Sequence, residues 1–570
     1  MSKDDSVNVA GGQRTSFLKR REVLAGGASV TAAISASPAM ARSWSDHRGL
    51  RGRSWGQSHE VFGDLSVRRA AEAFKRQLIA ARRYLIGDPG RQEVNGDDAA
   101  YDDYRASFTK TLPHNAIGEV DREAYRALLR ALRSGQSADF ERIPLSSDPH
   151  RTRRLTNPQA AYCFPPSGPD SQASRMAPPP AFVSIDIQGE MLELYWKALL
   201  RDVPFARFGY NREVEKALAE INRFPSVAGA PASGKHTLST LFRGETPGDR
   251  TGPYISQFLI QPVPYAGGLV EQLYAASPAG NDYMTGAEDT LAVQNGAVPG
   301  RTRLGRARYI DSPRTLADYV HTDYSYQAYL TAALILLGLG PSFLDRNNPG
   351  RRSQTQDTFT TLGGPDVLEL VAAAAKLALS GAWYQKWLVH RRLRPEAYGA
   401  RVEVQGRGVK DYGLNRLLFE TDALGETRNR QGTRLLSQCY PEGSPTHPAY
   451  PAGHATMAGA CVTVLKAFFD EDMALPNPVE AAPGGGHLTP VSTTLTVGGE
   501  LNKLASNISL GRDWAGVHYR SDGIGGMKLG EQMALDLLAD RSALYNEDFG
   551  GWSLTTFEGR RVTIGGGRVS

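Results

Sequence analysis

The chain predicts a mainly α-helical protein, a large helical-bundle body with long loops and a few short β-hairpins. Three observations predict it. Apolar residues recur at helical spacing over long stretches, most plainly from Leu316 to Leu339 and from Asp366 to His390. Neither an internal repeat nor a strand–helix–strand alternation runs through the 570 residues. The few alternating runs are short and interrupted by glycine, at Gly406-Arg407-Gly408 and Glu558-Gly559, the pattern of small hairpins.

In chain order, Lys19-Arg20-Arg21 precedes an Ala/Gly-rich run that ends in Ala39-Met40-Ala41, a small-x-small cleavage pattern. Residues 1–41 therefore read as a bacterial twin-arginine signal peptide, which predicts an exported protein, periplasmic or extracellular. Residues 42–180 are expected to form an N-terminal helical layer and a loop. Val67, Ala70, Phe74, Leu78, Ala81 and Leu85 mark one helix from Ser66 to Ile86, and Tyr125 to Leu132 a second. Pro144 to Pro180, rich in Pro, Ser, Asn and Arg, reads as surface loop. Residues 181–570 form the helical-bundle catalytic body, either as its own domain or as one domain with 42–180. Within it Gln188 to Leu200 and Asn211 to Ile221 are helical, while Pro247 to Tyr265 and Ala279 to Arg303 are turn-rich. Further helices run from near His454 to about Phe469 and from Trp514 to Asp540, with a Gly/Pro linker at Ala482 to Gly486.

Composition excludes several classes. A net charge of +5 with cations and anions interleaved leaves no basic block, so no nucleic-acid partner is expected. Cys163, Cys439 and Cys461 share no CxxC spacing, which argues against a zinc ribbon or thioredoxin site and allows at most one disulfide. Beyond the N-terminus no membrane span is expected in the mature chain.

The residues that point to chemistry fall in three clusters. In Trp383-Tyr384-Gln385-Lys386-Trp387-Leu388-Val389-His390-Arg391-Arg392-Leu393-Arg394-Pro395, Lys386, His390 and Arg394 are spaced by four, which stacks them on one helix face before Pro395 ends the helix. Two cations on a largely apolar face call for an anion, whereas Arg391 and Arg392 read as a solvated helix end. Ser444 to Ala460 is a proline-punctuated loop that becomes a helix at Pro451-Ala452-Gly453-His454. A helix start presents free N–H groups, and Gly453 lets an anion approach them beside the titratable His454. In Gly511-Arg512-Asp513-Trp514-Ala515-Gly516-Val517-His518-Tyr519-Arg520-Ser521-Asp522, Asp522 lies one helical turn from His518 and can fix its tautomer, leaving Nε2 free as a nucleophile or metal ligand. Arg512 reaches the same site from a loop or a first turn.

This ordered set resembles the vanadium-dependent haloperoxidases, in particular their bromoperoxidase branch, which share a site architecture with the type 2 phosphatidic acid phosphatases. Lys386 to Pro395, Pro451 to His454 and Arg512 to Asp522 look like the three family motifs, and Trp383 and His447 look like the bromoperoxidase flanks. The similarity spans about Asp311 to Asp540, with a weaker match at Arg201-Asp202-Val203-Pro204-Phe205. The chain departs from the family where Ala452 stands in place of Ser and Gly511 in place of Ser. The lost hydroxyl at 452 removes one hydrogen bond to an oxyanion, worth roughly 1.5–3 kcal/mol if nothing replaces it.

The resemblance implies a haloperoxidase-like helical fold and a vanadate cofactor held through His518 Nε2, with Asp522 behind the ring. Lys386, Arg394, Gly453 and Arg512 are the expected contacts to the vanadate oxygens. His454 is the expected acid/base and Lys386 the group that polarises peroxide. Asp323 is expected to pair with Arg512 or Lys386, and His447 and Trp383 to line the site, with His447 able to tune halide choice. His321 and His390 are expected to be buried and hydrogen-bonded. The implied reactants are hydrogen peroxide, a halide (bromide foremost) and an organic small molecule. The product is a hypohalous acid equivalent, and the assembly a homodimer or larger. A structural calcium is a further implied ligand, with the Asp345-Arg346-Asn347-Asn348 loop as its candidate. Two alternatives stay open: an exported acid phosphatase acting through a phospho-histidine at His518, and an anion-binding protein without turnover.

Overall fold

The computed structural model describes residues 71–79, 82 and 91–570, apart from 147–151, 164, 166, 227–228, 230–233 and 303. The leader at 1–41 and most of the expected 66–86 helix lie outside the described residues, although 71–79 are helical. Residues 75–570 belong to one compact unit.

That unit is built around the Gly453–Phe468 helix, whose every residue except His454 is buried. Its sequence GHATMAGACVTVLKAF is small or apolar almost all round, the composition of a helix covered on every side. The Gly364–Tyr384, Val497–Trp514 and Arg520–Ser542 helices pack against it. Glycine sets how closely they approach. A Cβ on Gly530 would stand 1.9 Å from the Thr456 carbonyl oxygen, and one on Gly459 2.1 Å from that of Met527.

The Ile185–Leu200 helix closes another side through buried ions. Lys197 bonds Asp513 (3.1 Å) and Glu193 (3.0 Å), and Glu193 also takes Arg520 Nε (2.9 Å). These contacts tie it to both helices of the third motif. Against Asp513, burial outweighs Lys197 and pushes the carboxyl up to about 7.

The helical body agrees with the sequence expectation, and several boundaries differ. The expected helix from Leu316 to Leu339 is two, Pro313–Thr322 and Gln327–Gly338, because the chain turns extended at Asp323 and restarts at Gln327, whose side chain accepts the Tyr324 N–H. Gly406-Arg407-Gly408 is no hairpin. It is the end of the Pro395–Gly406 helix, with Gly408 at φ 70° carrying the chain out. Glu558-Gly559 does turn between the Trp552–Thr555 and Arg561–Gly565 strands. The expected linker at Ala482 to Gly486 connects the paired Val479–Ala481 and Leu488–Pro490 strands. Gly364–His390 is long and apolar enough to cross a membrane by length and composition alone, and its residues pack in the core around Val371, Ala374 and Ala378. All three cysteines are free.

Candidate active site

Lys386 and Arg394 come together because the helix between them breaks. Gly364–Tyr384 runs into a π-helical turn at Gln385–His390, and Arg391 ends it in the left-handed region at φ 42°. Arg394 is then the N-cap of the Pro395–Gly406 helix, in extended backbone. The expected stack of Lys386, His390 and Arg394 on one face is therefore not formed. His390 packs edge-on to Tyr450, its Nε2 is buried without a partner, and burial pushes its ring down to about 3. Against expectation the residue as a whole is only half-buried, and its buried Nε2 makes no hydrogen bond. Nor are Arg391 and Arg392 a solvated end: Arg391 is ion-paired with Asp98, and Arg392 is buried between Glu190 and Asp522.

The expected Trp514 to Asp540 helix is likewise two elements. Val497–Trp514 ends after Arg512, Gly516 turns the chain at φ 86°, and Arg520–Ser542 begins two residues beyond His518. Only glycine suits that turn, since a Cβ would also sit 2.7 Å from Gln438 Nε2. His518 thus lies between helices, and Asp522 reaches back to it from the first turn of the second. Asp522 Oδ2 accepts the Tyr519 N–H (3.1 Å) and faces His518 Nδ1 at 2.8 Å. A carboxylate only accepts, so Nδ1 carries the proton and the lone pair is on Nε2. Arg394 donates to that nitrogen at 2.9 Å. Burial first, then the charges of Arg394, Lys386 and Arg512, hold His518 well below the usual histidine range, so the ring is neutral.

The helix start of the second motif is stitched to this turn: the Ala452 N–H donates to the Asp522 carbonyl at 2.9 Å. No side chain caps the Gly453–Phe468 helix, which leaves its first-turn donors for another acceptor. A Cβ at Gly453 would project to within 3.6 Å of the Trp383 ring. His454 places Nε2 3.0 Å from Asp323 Oδ1. Asp323, at the C-cap of Pro313–Thr322, therefore meets His454 and not the expected Arg512 or Lys386, because the break after Thr322 turns it toward the 453 helix start.

Trp383 and His447 pack at 4.8 Å between ring centroids, their planes tilted by 50°. His447 Nδ1 accepts from Arg394 (2.9 Å), and burial with the Lys386 and Arg394 charges holds it neutral. His321 is only partly buried, stacked on Tyr440 and bonded to Glu442 at 2.6 Å.

These groups share an excess of positive charge. Lys386, Arg394 and Arg512 are all buried. Lys386 donates to the carbonyls of Pro448 (2.7 Å) and Ala449 (2.8 Å), and Arg512 to that of Val320 (2.7 Å), while Arg512 Nε is buried without a partner. Burial, with Arg394 and Arg512 adding to it, drives Lys386 well below the usual lysine range, and Arg394 falls to about 9. Asp522 is already shared by His518 and Arg392. Three dehydrated cations, an orphaned guanidinium N–H and a neutral imidazole fit a tetrahedral oxyanion such as vanadate. At the Asp345 loop the oxygens serve the protein itself: Asp345 accepts the Asn347 N–H, Asn348 the Gly350 N–H, and Arg346 bonds Asp470. Among the described residues no three His, Cys, Asp or Glu side chains are grouped to hold a metal ion.

Sequence reasoning missed Arg392 and Glu190. Arg392 had a signal in its place beside the first motif; Glu190, more than 200 residues away in sequence, had none.

A helical bundle that gathers buried cations around one neutral histidine defines an oxyanion-dependent enzyme. A family model described as the VCPO second helical-bundle domain matches residues 367–547. A vanadium-dependent bromoperoxidase of Ascophyllum nodosum is 35% identical over 515 residues, covering 86% of this chain and 91% of that protein. One from Corallina pilulifera is 33% identical over 87% of this chain and 98% of its own length. The solved structure of the second vanadate-dependent bromoperoxidase of Ascophyllum nodosum, a homohexamer, superposes with a TM-score of 0.83 at 30% identity, covering 87% of this chain and 90% of that one. The chain belongs to the vanadium-dependent bromoperoxidases and is a vanadate-dependent haloperoxidase.

Proposed function

We propose that this chain oxidises bromide with hydrogen peroxide at the site around His518, releasing a hypobromous acid equivalent to organic acceptors. The observation that carries the proposal is the Nε2 lone pair of a buried, neutral His518 facing a buried guanidinium, with two further cations acting on the same ring. His518 Nε2 would hold vanadium, and Arg394, Lys386, Arg512 and the Gly453 N–H would neutralise the vanadate oxygens. Bound vanadate supplies Lewis acidity toward peroxide. The protein's own steps are proton handling and orientation. His454, whose Nε2–H donates to Asp323, would take a proton from incoming peroxide at Nδ1 and return it to the departing oxygen. Lys386, fixed by two carbonyls, would direct its remaining N–H at peroxide. His447 and Trp383 wall the halide approach.

The homohexameric relative supports a homo-oligomer here as well. The paired arginines at Arg20-Arg21 support export by the twin-arginine route, and loss of export on changing both to lysine tests it. A calcium at the Asp345 loop is tested by the fall in thermal midpoint on chelation.

Reconstitution with vanadate, followed by bromination with hydrogen peroxide and by p-nitrophenyl phosphate hydrolysis, tests the central reading. Bromination that requires vanadate supports it; phosphate-ester turnover without bromination replaces it with the phospho-histidine alternative.

A further inference from the structure

We propose that Arg392 and Glu190 form a clamp that aims the Asp522 carboxylate, and through it the His518 ring, at the bound oxyanion. The inference rests on the reading of His518 as the vanadate ligand. Arg392 is a positioning residue here, since it contacts Asp522 and not the oxyanion's proposed ligands.

The geometry is specific at each link. One terminal nitrogen of Arg392 donates to Asp522 Oδ1 (2.6 Å) and to Ser521 Oγ (2.8 Å); the other donates to Glu190 Oε2 (2.9 Å). The guanidinium plane lies 3.9 Å from the Tyr519 ring centroid, so a flat cation is held between an aromatic face and two carboxylates. Glu190 is fixed in turn by the Ser521 N–H and by the Ser521 hydroxyl (3.0 Å). Asp522 therefore has Oδ1 held by Arg392 and Oδ2 held by the Tyr519 N–H and His518 Nδ1, and its rotamer is determined from both sides. All three charged groups are buried, so water cannot take over a lost contact.

The same residue also supports the cation side of the site. The Arg392 carbonyl accepts the Ala449 N–H at 3.0 Å, and the Ala449 carbonyl accepts Lys386 Nζ at 2.8 Å. One residue thus holds the carboxylate behind the histidine with its side chain and the loop that orients Lys386 with its backbone. Glu190 balances the Arg392 charge, which lets the clamp sit beside three other cations without adding to their repulsion. Burial raises Glu190, and the Arg392 charge opposes that.

The test is equilibrium dialysis of vanadate against the metal-free full-length protein. Lysine keeps the charge of Arg392 but cannot span Asp522, Ser521 and Glu190 together. Arg392→Lys is expected to weaken vanadate binding roughly ten-fold or more, the usual range for groups that orient a metal ligand. The KM for peroxide at saturating vanadate should stay near the parent value, because Arg392→Lys changes the side chain and leaves in place the backbone carbonyl that supports the Lys386 loop. Ser521→Ala removes one shared hydroxyl without stranding a charge, and is expected to weaken binding about three-fold, the scale of one hydrogen bond. It keeps the test decisive if Arg392→Lys does not fold. Parent-level vanadate affinity in the folded variants overturns the clamp. If the parent itself shows no vanadate binding, the proposed function fails instead, so the two failures are distinguishable.

Discussion

His454 is the one residue of its helix that reaches solvent, and its Nε2 rests on Asp323 at 3.0 Å. A carboxylate there holds the Nε2–H and so fixes Nδ1 as the nitrogen a proton shuttle uses. Asp323→Asn keeps the shape and removes the charge. It is expected to lower kcat for bromide oxidation by 10-fold or more while vanadate affinity changes little, because Asp323 lies on His454 and not on His518. Steady-state kinetics beside vanadate dialysis reads both. Ala452 is the counter-example at this scale. Where relatives of the resembled type carry a hydroxyl, this chain offers only backbone donors, since no side chain caps the helix. The individual motif residues were legible because their spacing follows a known ordered pattern. Their partners were not: Asp323 pairs with His454 only because the chain turns extended at residue 323, which nothing in an unbroken apolar pattern reveals.

Helix breaks do most of the work at the next scale. Lys386 and Arg394 meet across a π turn and a left-handed Arg391, and Arg512, His518 and Asp522 meet across the turn at Gly516. Periodicity extends through both breaks, so sequence reading drew continuous helices where the site needs corners. Gly516 was the available signal, and Gly408 the same signal misread as a hairpin. The bundle's tightness was also partly hidden, because small residues mark close packing only when the facing backbone is known. Gly530 shows the consequence. A Cβ there would overlap the Thr456 carbonyl at 1.9 Å, with backbone on both sides and no flexible end to yield. Gly530→Ala is expected to destabilise the protein by about 1–3 kcal/mol, seen as a lower thermal midpoint. It should also weaken vanadate binding, since it pushes apart the two helices that carry His454 and Asp522.

Across the whole molecule, buried titratable groups other than the proposed vanadate contacts set how the fold answers acid. Burial pushes His114 down to about 4, with Nδ1 facing Asn295 and Nε2 facing Thr109. Its folded value lies below the unfolded 6.5, so its contribution is fully present above pH 6.5 and is lost as pH falls toward 4. Asp513, raised to about 7, acts with the opposite sign over that window. The difference between parent and His114→Gln isolates the histidine: the parent should lose on the order of 3 kcal/mol more than the variant between pH 6.5 and 4, measured by denaturant unfolding at each pH. The fold class was legible from apolar periodicity, whereas the ion clusters that join Ile185–Leu200 to the third motif bridge more than 300 residues of sequence and left no trace in it. What that long-range folding achieves is a set of cations, drawn from three separate helices, that converge on one imidazole. Vanadate dialysis of the His518→Ala protein measures this most directly. Loss of both vanadate retention and vanadate-dependent bromination in a protein that keeps the parent's thermal midpoint is the predicted result. A folded His518→Ala variant that binds vanadate and brominates at the parent level would contradict it.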